Sequence, residues 1–300
     1  MARVFLSVKD VSKVFHVGEE RIEALHHVSL DVAKGEFVCL IGASGCGKST
    51  LLRIVAGFER PTSGDVRVYD APISGPGSDR GMVFQDYALF PWMTVKENVA
   101  FGPRQKKLPP AEIRTTTDKF VEMVGLAKFA DRYPYQLSGG MKQRVAIARV
   151  LANEASILLM DEPFGALDAL TREQLQDELL EIWARTQVTI LFVTHSVEEA
   201  TLLADRVVVM TAGPGRIESD NRVSLSRPRE VSAPDFNAVR RNLTERLTSH
   251  VSRRQRRRSR CWRILRTGCG TSSTNSCYCI TGPRRRIPDP IRARFVCDLR

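Results

Sequence analysis

A glycine-rich segment that ends in lysine and serine contains the first residues with evident chemistry. Residues 42–49 read GASGCGKS and fit the pattern G-x-x-x-x-G-K-[ST] of a phosphate-binding loop. Glycines let backbone N–H groups point at a triphosphate, Lys48 can neutralise β/γ-phosphate charge, and Ser49 can coordinate Mg²⁺. The residues expected at the nucleotide are Gly42, Ala43, Ser44, Gly45, Cys46, Gly47, Lys48, Ser49 and Thr50.

Two acidic residues after an apolar segment are the next candidates. SILLM (156–160) reads as a buried strand, and Asp161 and Glu162 follow it directly. An open α/β sheet binds ligands beyond the carboxyl ends of its strands, so both acids would face the ligand. Asp161 would support Mg²⁺, and Glu162, free of the metal, would accept the proton of the attacking water. Alone, such a segment also fits a plain sheet edge; after a phosphate loop it favours nucleotide hydrolysis.

The segment LSGGMKQRVAIAR (137–149) combines a serine, two glycines and the start of a predicted helix. A hydroxyl, two glycine amides and a helix N-terminus can bind an anion together, although the serine would also serve as a plain helix cap. The segment resembles the LSGGQ signature and following helix of the ABC ATPase family, with Met141 where that family usually has glutamine. The resemblance implies that Ser138, Gly139 and Gly140 contact ATP.

Four further features match the same family in order along the chain. Phe15 stands where an aromatic ring stacks on adenine, although such a residue near a strand end also often just packs. Gln85 stands where a glutamine senses Mg²⁺ and the attacking water. GALD (165–168) resembles the D-loop that crosses to the partner subunit, and His195 stands where a switch histidine contacts the γ-phosphate. The resemblance covers about residues 3–230.

The resemblance also implies a mechanism that one chain does not complete. In the family, two ATPase subunits pair head to tail, and we expect the second subunit to be another copy of this chain. The phosphate loop, Asp161 and Glu162 of one copy would then share ATP with Ser138–Gly140 of the other. Charge-assisted contacts from both sides would close the dimer, and hydrolysis would open it.

The segment DYALFPWMTV (86–95) bears on the partner of such a dimer. Its aromatic and apolar side chains would suit a groove for the coupling helix of an integral membrane permease, or they would form part of a helical core. The longer string at 81–102 looks most like the ATPases that import nitrate, sulfonate or taurine. This resemblance implies a peripheral position on the cytoplasmic face of the inner membrane and an indirect partner, a periplasmic or extracellular substrate-binding protein.

A soluble ABC ATPase of DNA repair or translation is the alternative. Those proteins usually carry tandem cassettes or a long coiled-coil insertion, and neither is visible. The formal net charge of +11 does not indicate a specific nucleic-acid partner, because it is concentrated at one end. Residues 251–300 hold fourteen arginines, no lysine and two acids, so residues 1–250 hold 31 basic and 32 acidic groups. Attraction of that end to nucleic acid would be blind to sequence.

The elements that must position these residues follow from hydrophobic periodicity. EFVCLI (36–41) reads as a buried strand before the phosphate loop, and STLLRIVA (49–56) reads as a helix after it. Short apolar runs recur at 156–160, 188–194 and 206–210, separated by helical patterns. Alternating buried strands and helices predict a mostly parallel sheet covered on both faces. With the family resemblance, the expected fold is an α/β P-loop NTPase, RecA-like, with a helical subdomain and an antiparallel β subdomain.

The expected domain organisation has three parts. Residues 1–230 would form the ATPase domain, with the helical subdomain inserted at about 88–155, and residues 231–250 would form a helical extension. Residues 251–300 are rich in arginine and cysteine and lack apolar periodicity, so we expect no independent fold there. A shifted reading frame or non-native end, an anionic-lipid contact and a cysteine metal site are the readings left open for that tail.

Overall fold

A computed structural model describes residues 4–165, 167–211 and 213–248 of the chain. The predicted tail at 251–300 lies outside these residues. The strands are β1 (Val4–Val17), β2 (Glu20–Ala33), β3 (Phe37–Gly42), β4 (Ser63–Val68), β5 (Ala71–Pro72), β6 (Arg80–Val83), β7 (Ile157–Asp161), β8 (Thr189–Thr194), β9 (Arg206–Thr211) and β10 (Arg216–Arg222). The α-helices are α1 (Lys48–Ala56), α2 (Val95–Gln105), α3 (Pro110–Met123), α4 (Gly139–Ala152), α5 (Ala169–Thr186) and α6 (Val197–Leu203), followed by α7 over 234–248.

A mostly parallel sheet, in the order β10-β9-β3-β8-β7-β6, carries the predicted strands. β3 pairs in parallel with β8 and β9, while β7 pairs in parallel with β8 and β6. Every residue of β3 and β8 is buried, which explains why these strands are continuously apolar instead of alternating. The prediction of a parallel sheet is confirmed. β10 is added antiparallel to β9 at the edge.

A second, antiparallel sheet has the order β2-β1-β4-β5. Its long hairpin β1–β2 extends from Val4 opposite Ala33 to Val17 opposite Glu20, and the register shifts at several points along it. Apolar residues of this sheet, such as Val8 and Leu30, share one core with α1 and with one face of the parallel sheet. The antiparallel sheet therefore lies over the helix that follows the phosphate loop.

The helices begin and end where local signals place them. α1 ends at Gly57, whose φ of 81° is left-handed and whose N–H bonds to the carbonyls of Arg53 and Ile54. α2 begins with a capping box, in which Thr94 and Glu97 exchange hydrogen bonds. The predicted helical insertion contains α2, α3 and α4, although its proposed boundaries stay a prediction. Among the described residues, no helix has the length and apolar character needed to span a membrane.

Candidate nucleotide-binding site

The phosphate loop, residues 42–49, connects the end of β3 to the start of α1. Lys48 is only 5% exposed, and its ammonium donates to the carbonyl oxygens of Gly42 at 2.8 Å and Ala43 at 3.3 Å. The same nitrogen lies 3.6 Å from Cys46 Sγ. The charge of Lys48 is thus held inside the curve of the loop, where an anionic phosphate would be bound.

Glycine is required at one point of this loop for two reasons. Gly47 has a left-handed φ of 87° and stands immediately before the first residue of α1. A Cβ there would lie 2.5 Å from Leu25 Cδ2 and 2.7 Å from the Ala24 carbonyl oxygen. A side chain at position 47 would therefore clash with β2, which packs directly against the loop.

Ser49 and Asp161 form the part of the site suited to a divalent cation. The Ser49 hydroxyl donates to Asp161 Oδ1 at 2.9 Å, bringing the start of α1 to the end of β7. Burial raises the pKa of Asp161, while the hydrogen bond from Ser49 acts in the opposite direction. Mg²⁺ is commonly bound by one or two such oxygens together with phosphate oxygens. The described residues contain no cluster of three or more His, Cys, Asp or Glu that would hold a metal.

Glu162 and His195 lie together at the carboxyl edge of the sheet. They follow the neighbouring strands β7 and β8, and His195 Nδ1 is 3.3 Å from Glu162 Oε2. Glu162 has a left-handed φ of 46°, and its N–H donates to the Val193 carbonyl at 3.0 Å. Such a conformation is uncommon for a residue other than glycine and occurs often at functional sites. The carboxylate remains partly exposed, so a water molecule can reach it.

Gln85 follows β6, the neighbour of β7, and is exposed. Its amide nitrogen would lie 3.6 Å from a Cβ placed on Gly165, so it faces the segment after Glu162. The structure therefore brings Gln85, Asp161 and Glu162 to one edge of the sheet. This common edge is the arrangement that the sequence predicted for strands of this type.

The predicted signature lies at the start of α4. Ser138 is the N-cap, and its hydroxyl accepts a hydrogen bond from Met141 N at 3.3 Å. Gly139 packs closely, since a Cβ there would lie 3.1 Å from Leu167 Cδ2 and 3.3 Å from Tyr87 Oη. Among the described residues, no hydrogen bond joins Ser138, Gly139 or Gly140 to the phosphate loop. The structure does not unite these two predicted parts of the site within one chain.

Phe15 lies on β1, opposite Ile22 of β2, and is half-buried. Lys13 Nζ is 4.8 Å from the centre of its ring. A ring with a cation at one face can still stack on a base with the other. Its expected contact with adenine stays a prediction.

Several buried polar residues around the site were missed at the level of sequence. Glu199 on α6 accepts a hydrogen bond from Thr194 Oγ1 at 2.5 Å, and Ser196 caps the same helix. The pattern Ser-x-x-Glu at 196–199 could have revealed this arrangement. On α4, Arg149 donates to the carbonyls of Tyr87 and Ala88, two consecutive residues with left-handed φ. No local pattern predicts that contact.

Comparisons with known proteins agree with this geometry. Residues 25–165 match the model of a protein family that is described as ABC transporter. The chain is 51% identical to an uncharacterised ABC transporter ATP-binding protein of Methanocaldococcus jannaschii, over 83% of this chain and 93% of that one. It is 50% identical to the nitrate import ATP-binding protein NrtD of Synechocystis, over 73% and 83% of the two chains. It is 51% identical to the taurine import ATP-binding protein TauB of Roseobacter denitrificans, over 74% and 83%.

Solved structures that are similar to this chain also include ATP-binding cassettes of ABC transporters. A dimeric ATP-binding cassette in a post-hydrolysis state with ADP and Pi is similar to this chain with a TM-score of 0.64 and 34% identity. That similarity covers 74% of this chain and all of the other. The structure of CbiO1 from Clostridium perfringens, part of a transporter complex, is similar with a TM-score of 0.68 and 30% identity, over 83% and 99% of the two chains. The fold predicted from the sequence is thus confirmed.

Proposed function

Because the chain belongs to the family of ABC transporter ATP-binding subunits, which bind and hydrolyse ATP, we propose that two copies share two ATP molecules head to tail. Each ATP would contact the phosphate loop, Asp161 and Glu162 of one copy and Ser138–Gly140 of the other. The observation that carries this proposal is the convergence of Ser49, Asp161 and Glu162 at one sheet edge while Ser138 stays separate. The similar cassette bound to ADP and Pi is dimeric, which supports pairing of two copies.

In the proposed reaction, the phosphate loop holds the triphosphate by backbone N–H groups and by Lys48. Mg²⁺ bound by Ser49 and Asp161 would neutralise charge at the β- and γ-phosphates. Gln85 would be a further residue in contact with this ion. Glu162 would accept a proton from the attacking water, because its partly exposed carboxylate makes no hydrogen bond to Ser49 among the described residues and so stays free of the metal ligands.

His195 completes the catalytic group in this proposal. Its Nδ1 contacts the Glu162 carboxylate, while the ring, with a side chain 66% exposed, remains free to reach the γ-phosphate. We expect His195 to orient Glu162 and to contact the phosphate that is released. Loss of that phosphate would weaken the closed dimer, and so hydrolysis would change the dimer's shape.

The coupled process is proposed to be import through an integral membrane permease. The relatives named for nitrate and taurine import support this class, and the substrate would be nitrate, a sulfonate or a taurine-like compound. Trp92, whose side chain is largely exposed, lies in the segment 86–95 proposed for permease contact. The chain would then act peripherally at the cytoplasmic face of the membrane, with a substrate-binding protein on the opposite side. Copurification of DNA or ribosomes instead of a permease would favour the soluble alternative.

The decisive experiment replaces the proposed base. Glu162→Gln keeps the size of the side chain but removes a carboxylate that can accept a proton, so hydrolysis should fall by about 10²-fold or more. The variant should form stable dimers when MgATP is added, measured by light scattering, because ATP would still be bound from both sides. Glu112→Gln, in the exposed first turn of α3, is the matched control. Turnover retained by Glu162→Gln, with permease present, would refute Glu162 as the base.

The domain organisation is also part of the proposal. Residues 1–230 would form the ATPase domain, residues 231–250 would add a helical extension that contains all of α7, and residues 251–300 would be dispensable. Deleting residues 251–300 should leave ATPase activity and transport unchanged. Loss of membrane association after the deletion would instead assign that segment a role at lipid.

A further inference from the structure

The turn between β9 and β10 joins the two sheets next to the phosphate loop. Gly215, just before β10, donates its N–H to the Ala24 carbonyl at 3.0 Å, and its own carbonyl accepts from His26 N at 2.9 Å. Ala24 and His26 belong to β2 of the antiparallel sheet, whereas β9 and β10 belong to the mostly parallel sheet. Gly215 is therefore hydrogen-bonded across the boundary between the sheets.

At this junction the backbone of the phosphate loop rests directly on Gly215. A Cβ placed on Gly215 would lie 2.1 Å from the Cys46 carbonyl oxygen and 3.0 Å from the Cys46 carbonyl carbon. It would also lie 2.9 Å from the Ala24 carbonyl oxygen. All three atoms are backbone atoms, so no side-chain rotation relieves the overlap. Any side chain at position 215 must displace the loop or β2.

The same loop segment also packs against β2. Leu25 is fully buried, and its Cδ2 occupies the space where Gly47 would carry a Cβ. Cys46 and Gly47 thus pack against Gly215, Ala24 and Leu25. The curve of the loop at this point is fixed from outside the loop as well as by Lys48.

The same strand continues to the residue expected at adenine. Phe15 on β1 pairs with Ile22 on β2, two positions before Ala24. The expected base contact and the phosphate loop are therefore attached to one strand, and Gly215 fastens that strand to the parallel sheet. Displacement of β2 at Ala24 would change the spacing between the two halves of the nucleotide site.

From these contacts we propose that Gly215 is a positioning residue for the nucleotide, which holds the phosphate loop in the curvature that ATP requires. Binding energy of this kind depends on donors being in place before the ligand arrives. The proposal rests on the nucleotide site proposed above for residues 42–50. It assigns the β9–β10 turn, which itself has no expected contact with ATP, a role in affinity.

Gly215→Ala in the full chain tests this assignment. The backbone of Gly215 is not left-handed, so alanine acts there only through its methyl group. Displacement of the loop should weaken binding of a fluorescent N-methylanthraniloyl ATP and raise KM for ATP, each by about tenfold or more, which corresponds to 1.4 kcal/mol or more. Because Lys48, Asp161 and Glu162 are unchanged, kcat at saturating ATP should fall by a smaller factor than KM rises.

Two further glycines provide matched controls. Gly75 has open space around its Cβ position and a backbone that is not left-handed, so Gly75→Ala should change neither KM nor the melting temperature. At Gly81, a methyl group would lie 2.2 Å from Val150 Cγ1, in the core and away from Cys46. Gly81→Ala should lower the melting temperature without raising KM. This pair separates an effect on the loop from an effect on folding alone.

Exchange of backbone hydrogens in the unaltered chain tests the same contact without a substitution. MgATP should slow exchange in peptides that cover residues 24–26 and 213–215, because an ordered loop stabilises the turn beneath it. Unchanged KM in Gly215→Ala, an equal rise of KM in Gly81→Ala, or unchanged exchange in those peptides would overturn the proposal. A chain that binds no ATP at all would instead refute the nucleotide site itself.

Discussion

The Thr194 hydroxyl donates a hydrogen bond of 2.5 Å to the carboxylate of Glu199, which is only 9% exposed. Thr194 Oγ1 in turn accepts from Ser196 N, and Ser196 Oγ accepts from Glu199 N. These three hydrogen bonds link Thr194, Ser196 and Glu199 to one another. His195 stands between Thr194 and Ser196 in the chain, so its backbone is held from both sides. Glu199 thereby fixes the backbone that presents His195 to Glu162, although no hydrogen bond among the described residues joins its carboxylate to either of them.

We therefore predict that Glu199→Ala lowers kcat for ATP more than it changes KM. Without the carboxylate, Thr194 and Ser196 lose a shared anchor, and misplacement of a catalytic group by about 1 Å can cost up to ~10²-fold in rate. Glu199→Gln retains an acceptor for Thr194 and should restore much of the rate. Steady-state ATPase assays give both constants. Glu198→Ala is the control, since exposed Glu198 pairs with Arg240 instead; an equal loss of kcat in both alanine variants would contradict the prediction.

Arg172 extends this arrangement toward the segment after Glu162. Its Nη2 donates to the Leu167 carbonyl at 2.9 Å, and its Nε lies 3.7 Å from Glu199 Oε1. Arg172→Met and Glu199→Gln should therefore show coupled effects on kcat in a double-mutant cycle. Strict additivity of the two effects would show that the Leu167 segment and His195 respond independently.

A second prediction concerns the stability of the protein without nucleotide. Burial raises the pKa of Asp161, which means that the folded state disfavours its charged form. Stability should therefore fall as the pH rises from the ordinary carboxyl range through the raised pKa, and the full penalty should persist above it. Asp161→Asn removes the penalty and still accepts the hydrogen bond from Ser49. We expect the variant to melt at a higher temperature than the parent at neutral pH, with a gain that shrinks as the pH falls.

The measurement is thermal unfolding over a pH series with neither Mg²⁺ nor ATP present. Asp118→Asn, at an exposed position of α3, is the control and should produce no such pH-dependent gain. In ATPase assays with MgATP, the parent should be far more active than Asp161→Asn. The variant lacks a carboxylate ligand for Mg²⁺, so its hydrolysis should be barely detectable. If Asp161→Asn were less stable than the parent at every pH, burial of the charged Asp161 carboxylate would not destabilise the folded protein, and the prediction would be wrong.

How far the sequence predicts this structure depends on the range of the contacts involved. The strand, loop and helix around residues 37–56 were predictable, since the glycine pattern and the hydrophobic periodicity are both local. β10 was not, because its sequence RIESDNR is polar and it occupies a sheet edge. Contacts such as Gly215 with Cys46 join residues far apart in the chain. No local pattern encodes them, although they decide how well the predicted loop is held.

For the predicted catalytic residues, too, the residues themselves could be predicted from the sequence, whereas the contacts that hold them could not. The neighbouring strands β7 and β8 explain why Glu162 and His195 meet. Glu162 was predicted from its place after an apolar strand, and His195 from the family resemblance. Nothing in the sequence indicated that Glu162 has a left-handed backbone. The pattern Ser-x-x-Glu at 196–199 signals the start of a helix, but it does not show that Glu199 accepts a hydrogen bond from Thr194. The identities of the reacting groups were thus more predictable than the contacts that orient them.

The third prediction concerns Asn98, which supports the segment proposed to meet the permease. Its fully buried side chain accepts from Phe90 N at 2.9 Å. The amide group also donates to three carbonyl oxygens, those of Phe90 at 3.2 Å, Met93 at 3.0 Å and Thr94 at 3.0 Å. One side chain therefore holds the turn that carries Trp92 against the start of α2.

Asn98→Ala would remove the partner of Phe90 N and of the Met93 carbonyl, at about 1–3 kcal/mol for each group that water does not reach. The carbonyls of Phe90 and Thr94 would keep their bonds from Met93 N and from the backbone N of residue 98. Since some will become hydrated, we expect a loss of about 2–4 kcal/mol in the free energy of unfolding, measured with urea. Asn237→Ala is the matched control, because Asn237 donates to the carbonyls of Val231, Ser232 and Ala233 from a partly exposed position. It should cost clearly less, since water can replace the lost bonds there; equal costs would mean that Asn98 does not hold the turn.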